Sequence, residues 1–343
     1  MSSYLPSVPG VALGALWPVR NVVNMASASA ADKTHTDEAG AFSGGTLKPY
    51  PNAIGDFLGV QFGSLPKMLI AVVCWHVTAA DWGAAAAGYD LSPTGWVARI
   101  VLRDLVLMVL VAGVWDWLLY RSPLQGRLAP YKFNKDYPDA AQLSRDVFWT
   151  TSATLLASAQ EAVLMHWWTT GRLFKQLPLQ GAAQLTAEDK AGAAPAFFGT
   201  EWTNYYIAWT VTMLYWRIAH FYVIHRGMHP WWDRKNGLAQ LDVGAFLYRH
   251  VHSLHHKSYN PTAWSGLSMH PVESTAYLSA ALTPLFFRCG MHPWLHLYTK
   301  IDLIIGAQIG HDGFDAPGGG SYYHQLHHGA TALLVPCACN SLS

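Results

Sequence analysis

Phe221-Tyr-Val-Ile-His225-Arg-Gly-Met-His229, Arg249-His-Val-His252-Ser-Leu-His255-His256 and Tyr323-His324-Gln-Leu-His327-His328 are the stretches whose reading decides this chain. Of its 17 histidines, 14 fall between His220 and His328. Residues three and four apart share one face of a helix. His225 and His229 are an i, i+4 pair, and the other two clusters are i, i+3, i+4 sets, so three helical faces are expected to project eight imidazoles. One metal ion takes about four to six ligands, so eight suit two ions better than one. A lone histidine on an apolar face is ordinary core, but three such clusters so close together argue for a bimetal site.

Composition says where the site sits. Charged residues make up only 13% of the 343-residue chain, about half the usual share, and the formal net charge is +1. Trp 16, Tyr 16 and Phe 13 make it rich in aromatic residues. A charge-poor, Trp- and Tyr-rich chain points to a membrane bilayer with aromatic side chains at its interfaces. Without a basic face it does not point to a nucleic acid. A mean hydropathy of +0.13 leaves part of the mass outside lipid. Cys74, Cys289, Cys337 and Cys339 show neither a disulfide framework nor a CxxC pair and read as free thiols on a reducing, cytosolic side.

Along the chain, residues 1–60 read as a flexible or disordered region, with a targeting segment as the alternative. Residues 61–224 hold four apolar segments: Met68 to Ala87, 97–120, 147–168 and 202–224. None is a charge-free run of 18 or more, but one charge among about 20 apolar residues is tolerable when it faces a bundle interior. The expectation is an all-α polytopic membrane bundle of about four transmembrane helices, capped by a cytosolic helical di-metal domain over 225–328. A short tail, 329–343, follows. Within the cap, 274–287 and 294–310 are expected to form two half-length helices in a shallow hairpin, broken by Lys300 and Asp302.

Ligand type narrows the chemistry. Soft Cys-rich sites are absent, and imidazole suits iron, zinc, copper and nickel. Iron is the one commonly paired with dioxygen to attack unactivated C–H bonds, so an imidazole-rich site at a membrane boundary points to oxidation of an apolar substrate.

The clusters HRGMH, HSLHH and HQLHH resemble the three histidine boxes of the fatty acid hydroxylase/sterol desaturase superfamily, integral-membrane di-iron oxidoreductases. Asn260-Pro261, His270-Pro-Val-Glu273 and Gly310-His311-Asp-Gly also look like that family, and the compact span 225–328 is closer to it than to membrane acyl-lipid desaturases. The resemblance implies that His225, His229, His252, His255, His256, His324, His327 and His328 hold two irons, with His311 a ninth ligand. It also implies dioxygen as co-substrate. His250, His270 and Glu273 are expected behind the ligands, because metal-bound imidazoles donate their other N–H to a carboxylate or carbonyl. His220 reads as packing or support, and His292 and His296 as structural. After His328 the sequence departs from the family's Asn-Tyr-Gly-like continuation.

The implied activity is oxidation of a lipid. Text such as Trp264-Ser-Gly-Leu-Ser-Met-His270-Pro-Val-Glu273 favours sterol desaturation or oxidation, with fatty acid or sphingolipid hydroxylation as the alternative. No HPGG haem motif is visible, so electrons are expected from a separate carrier, cytochrome b5 or ferredoxin with its reductase. The implied location is the endoplasmic reticulum membrane with the site facing the cytosol, or else a plastid membrane. Readings from other classes are a histidine-rich metal transporter, whose site should lie near the bilayer midplane, and a bis-haem protein, which needs single histidines on separate spans.

Overall fold

The computed structural model describes residues 65–78, 81–133, 136–172, 200–231, 241–282 and 293–314, together with His324, His327 and His328. The N-terminal region expected to be flexible, the tail 329–343 and His292 lie outside the described residues. In chain order the elements are α1 (Leu65–Thr78), α2 (Asp81–Ala87), α3 (Trp96–Met108), a π-helical turn (Val109–Gly113), α4 (Val114–Tyr120), α5 (Gln125–Leu128) with a 3-10 turn (Ala129–Tyr131), α6 (Ala140–Thr169), α7 (Thr200–Gly227), α8 (Val243–His250), a 3-10 turn (His252–Lys257), α9 (Pro271–Leu278) with a 3-10 turn (Ser279–Leu282), and α10 (Pro293–Gly310). Among the described residues the only β pairing is an isolated antiparallel bridge between Lys132 and Phe314. The all-α expectation holds.

The 30-residue helix α6 is the spine, roughly 45 Å long at 1.5 Å per residue. It starts at Asp139, whose side chain accepts the Gln142 amide at 2.7 Å, an N-cap that satisfies one of the free amides of the first turn. It packs on α2, α3 and α9, while α10 packs on α1. One apolar core joins Ala71, Ile100, Leu164, Met165, Leu295, Tyr298 and Ile301 across these helices. A second joins Ala153 and Ala157 of α6 to Tyr277, Leu278, Leu303 and Ile304, under the histidines.

Lys300 and Asp302 do not break α10. Both are 2% exposed and both are paired. Lys300 Nζ reaches Asp104 at 2.6 Å and also pairs with Glu161, which Arg103 meets from the other side. Asp302 lies 2.6 Å from Lys67 and 2.6 Å from Arg217. A charge that finds its partner inside the bundle leaves the backbone hydrogen bonds intact, so α10 runs unbroken through both over nearly the expected bounds. Of the first expected helix, residues 274–282 are described, as the end of α9 and the 3-10 turn after it, and 283–287 lie outside the described residues.

Among the described residues no helix is long and apolar enough to cross a membrane. The expected segments appear as helices, but 68–87 divides into α1 and α2, 97–120 carries a π turn, and α6 and α7 mix their apolar residues with Ser, Thr, Gln, Trp and Tyr. Apolar side chains nonetheless face outward in rows, such as Leu69, Val73 and Val77 on α1.

Replacing Lys300 with Met leaves Asp104 and Glu161 sharing only Arg103 in a buried site. Removing one partner of a buried ion pair costs about 3–5 kcal/mol, so Lys300→Met is expected to lower the thermal unfolding midpoint sharply. An unchanged midpoint would contradict the role given to this cluster.

Candidate metal centre

Three pieces of backbone deliver the histidines. The C-terminal turn of α7 carries His225, and His229 follows Gly227, where the helix ends. The chain is then tied down by Asp242, which accepts the Trp231 amide at 2.8 Å and the Ala245 amide at 2.9 Å as the N-cap of α8. His252, His255 and His256 do not lie on an α-helix as their spacing suggested. They occupy a 3-10 turn just after α8. At about three residues per turn, a 3-10 helix spreads three close histidines differently from an α-helical face. His311 stands one residue beyond α10, and His324, His327 and His328 close the set.

All nine histidines expected as ligands come together, in two groups. His225, His229, His252, His256 and His327 form one; His255, His311, His324 and His328 form the other. Within each group the candidate ligand nitrogens lie within 4.8 Å of one another. Both the second and third clusters are divided between the groups. The two groups touch: the His256 and His328 rings stack at 4.9 Å.

The chemistry of the nitrogens shows what the arrangement fits. His252 Nδ1 lies 2.6 Å from Glu273 Oε1, and His311 Nδ1 lies 2.7 Å from the Ala307 carbonyl. His255 Nδ1 faces the Ser268 carbonyl at 3.4 Å. These acceptors assign the ring proton to Nδ1 and leave Nε2 as a bare lone pair. His311 Nε2 and His255 Nε2 are nevertheless 3.2 Å apart, two acceptors facing with no proton between them. His252 Nε2 likewise lies 3.0 Å from the Nε2 atoms of both His229 and His256. His225 Nε2 is 2.8 Å from His327 Nε2, and His324 Nε2 is 2.7 Å from His311 Nε2. Two imidazoles about 90° apart around one ion, each about 2.1 Å away, have nitrogens separated by about 3.0 Å. Among the described residues the buried His328 ring has no hydrogen-bond partner on either nitrogen. Converging lone pairs at this spacing fit transition-metal ions and fit little else.

Burial favours the neutral form of an imidazole, which is the form that ligates. It lowers His229 to about 2 and His311 and His327 to about 4. It holds His225, His255, His256, His324 and His328 well below their ordinary 6.5, and neighbouring imidazoles add to the effect. Asp312, beside His311, is raised to about 7 by burial, while Trp115 Nε1 donates to it at 3.2 Å.

Of the three supporting residues expected, Glu273 stands behind His252. The other two make different contacts. His250 is exposed and packs on Phe246 at 4.6 Å, because it ends α8 facing away from the turn that follows. His270 is the N-cap of α9, its Nδ1 accepting the Val272 amide at 3.2 Å. His220 bonds Ser279 Oγ at 2.9 Å and His296 the Ala281 carbonyl at 2.7 Å, both packing roles.

Several contributors went unnoticed in the sequence. Phe221 lies 5.1 Å from the His225 ring, and Tyr248 lies 5.3 Å from His229 and 5.5 Å from His256. Each sits four residues before a cluster histidine, a spacing that could have flagged them. Tyr120 had no such signal: its hydroxyl, with one proton to donate, lies 2.9 Å from the Pro261 carbonyl and 2.8 Å from the Asp312 carbonyl, 141 and 192 residues away. Two glycines let backbones close in. A Cβ on Gly266 would collide with the Ala307 carbonyl, the acceptor of His311, and Gly313 has φ +82°.

Residues 209–333 match the family described as Fatty acid hydroxylase. The chain is 30% identical over 115 residues to Sphinganine C4-monooxygenase 1 of Arabidopsis thaliana, and 31% identical over 117 residues to Sphinganine C4-monooxygenase 2 of the same plant. Each alignment covers 31% of this chain and 39% of the relative. A protein of Dictyostelium discoideum named as a methylsterol monooxygenase is 25% identical over 120 residues, 32% of this chain and 38% of that protein. The chain thus spans about two fifths of the length of these relatives. No solved structure matches it.

The lowered histidine values set a pH dependence for the metal-stripped protein. In the unfolded chain these rings take up protons near 6.5, while folded His311 and His327 do so only near 4. The unfolded state therefore binds more protons between those limits, and stability falls as pH falls. The unfolding midpoint is expected to be level above pH 6.5 and to drop between pH 6.5 and 4. A midpoint independent of pH across that window would contradict neutral, buried rings.

Proposed function

We propose, from the match of residues 209–333 to the family described as Fatty acid hydroxylase and from the monooxygenase relatives, that the chain is a dioxygen-dependent, non-haem di-iron oxidoreductase of the fatty acid hydroxylase/sterol desaturase superfamily acting on a lipid. The observation that carries the reading is the division of nine buried or half-buried histidines into a group of five and a group of four, each converging on its own point. Bound iron would supply reductive activation of dioxygen for attack on a C–H bond. His225, His229, His252, His256 and His327 would hold one ion; His255, His311, His324 and His328 would hold the other.

The remaining work falls to the protein's own groups. Glu273, the Ser268 carbonyl and the Ala307 carbonyl hold the Nδ1 protons of His252, His255 and His311 and so aim their Nε2 lone pairs inward. Phe221 and Tyr248 wall the centre with aromatic surface. Burial of most of the rings keeps bulk water away from the reacting atoms.

A lipid substrate is supported by the surface as well. Exposed apolar residues follow one another along α1 (Leu69, Val73, Val77), along α3 to α4 (Leu102, Val106, Leu110, Val114, Trp117) and on α6 (Phe148, Leu155). Bands of this kind mark contact with lipid or with another apolar partner. We place the protein in a membrane on this ground, with a separate electron carrier on the side of the histidines; the endoplasmic reticulum is the compartment proposed.

For the substrate, the two plant relatives named as sphinganine monooxygenases have the higher identities and favour hydroxylation of a long-chain base. The Trp264 to Glu273 text and the Dictyostelium discoideum relative favour a methylsterol. Expression in cells lacking long-chain-base hydroxylation, and in cells lacking methylsterol oxidation, followed by lipid profiling, separates the two. Restored hydroxylated base in the first host supports the former reading, and restored sterol product in the second supports the latter. Neither product in either host would contradict lipid oxidation of these kinds. His255→Ala or His327→Ala is expected to abolish product, and full turnover in either variant would refute the ligand assignment.

A further inference from the structure

Upstream of the hydroxylase domain, the second turn of α6 holds a buried carboxylate that neither the domain match nor the histidine pattern accounts for. Asp146 is 1% exposed. Its Oδ1 accepts hydrogen bonds from Ser258 Oγ at 2.7 Å and Ser268 Oγ at 2.8 Å, and its Oδ2 from Ser265 Oγ at 2.8 Å. All three serines are 0% exposed. Arg145 lies 3.3 Å away at the edge, and Gln142 Nε2 3.4 Å. Hydrogen bonds to an ionised acceptor are roughly twice as strong as neutral ones, and here three converge on one anion in a dry site.

What the serines belong to gives the arrangement its meaning. Ser258 ends the turn that carries His252, His255 and His256, and its amide bonds the His255 carbonyl at 3.2 Å. Ser268 supplies the carbonyl that faces His255 Nδ1. Ser265 accepts the Thr262 amide at 2.9 Å and, through its carbonyl, receives the Ser268 amide at 3.0 Å. The same face of α6 grips the rest of this loop: Gln142 Nε2 donates to the Asn260 carbonyl at 2.7 Å, Arg145 to the Lys257 carbonyl at 3.0 Å, and Thr150 to the Trp264 carbonyl. Residues 142, 146 and 150 repeat every four, so they form one stripe along the helix.

We propose that Asp146 is a positioning residue for the metal centre. Through Ser258 and Ser268 it sets the loop 258–268, so that His255 points into the four-histidine group while His256 points into the five-histidine group. The inference rests on the two-metal reading above. Asp146 touches neither a metal position nor a substrate; it acts through two hydroxyls and a backbone carbonyl on His255.

The test is ferrous iron binding by the full chain, titrated alone, with thermal unfolding measured alongside. Asp146→Asn keeps the shape but removes the charge and one acceptor, so the three serine hydroxyls can no longer all donate. Loss of a partner behind a metal ligand costs about 10–100-fold in affinity. The wild type is expected to take up two irons per chain, and Asp146→Asn to bind one of them about 10–100-fold more weakly. Ser268→Ala, which keeps the carboxylate and deletes one donor, should weaken the same position. If Asp146→Asn does not fold, Ser268→Ala decides alone. Two irons held at wild-type affinity by the folded variants would overturn the proposal. So would an equal loss in Arg99→Met, whose ion pair with Asp81 joins α3 to α2 and touches none of the nine histidines, because the effect would then be general destabilisation. A wild type that binds no iron would overturn the two-metal reading itself, and this proposal with it.

Discussion

Nine imidazoles pressed into one buried volume cannot satisfy one another. A neutral ring offers one donor and one acceptor, and here several donors are already committed outward, to Glu273, Ala307 and Ser268. Bare Nε2 lone pairs then face each other at about hydrogen-bond distance, which is repulsive without a cation between them. Protonation cannot supply that cation cheaply, because burial holds the rings neutral far below their ordinary range. The architecture makes sense as a cage whose electrostatic conflict is relieved by metal.

The rest of the fold serves to keep that conflict in place. Alone, the histidine clusters would splay apart to relieve the repulsion. The long helix α6 and the helix α10 prevent this, and each is anchored by charges buried in pairs: Lys300 with Asp104 and Glu161, Asp302 with Lys67 and Arg217. Buried ion pairs contribute little net stability, but leaving one half unpaired is costly. They therefore specify which helix lies against which, and at which level along their length. His311 follows α10 directly, so the level of α10 fixes where His311 arrives.

Much of the centre was legible in the sequence because metal ligation needs particular residue types at short spacings. His225 and His229, the HxxHH sets, His311 and Glu273 all come together as their pattern suggested. The division of each HxxHH set between two groups was not legible, because it depends on a 3-10 turn that spacing alone does not distinguish from an α-helix. The contacts of His250 and His270, with Phe246 and with the Val272 amide, were not legible for a related reason: nearness in sequence says nothing about which way a side chain leaves the end of a helix. Lys300 and Asp302 misled in another way. A charge inside an apolar run reads as an interruption, and only the partners from distant helices turn it into a core residue. Asp146 and Tyr120 act through contacts over 100 residues long, beyond any local pattern.

X-ray absorption of the iron-loaded protein reads what surrounds each metal in the histidine cage. Two irons per chain are expected, each with a first shell of nitrogen and oxygen at about 2.1 Å and outer-shell scattering from four to five imidazoles. A shell containing sulfur, a porphyrin-like signature, or one ion with only two or three imidazoles would contradict this expectation.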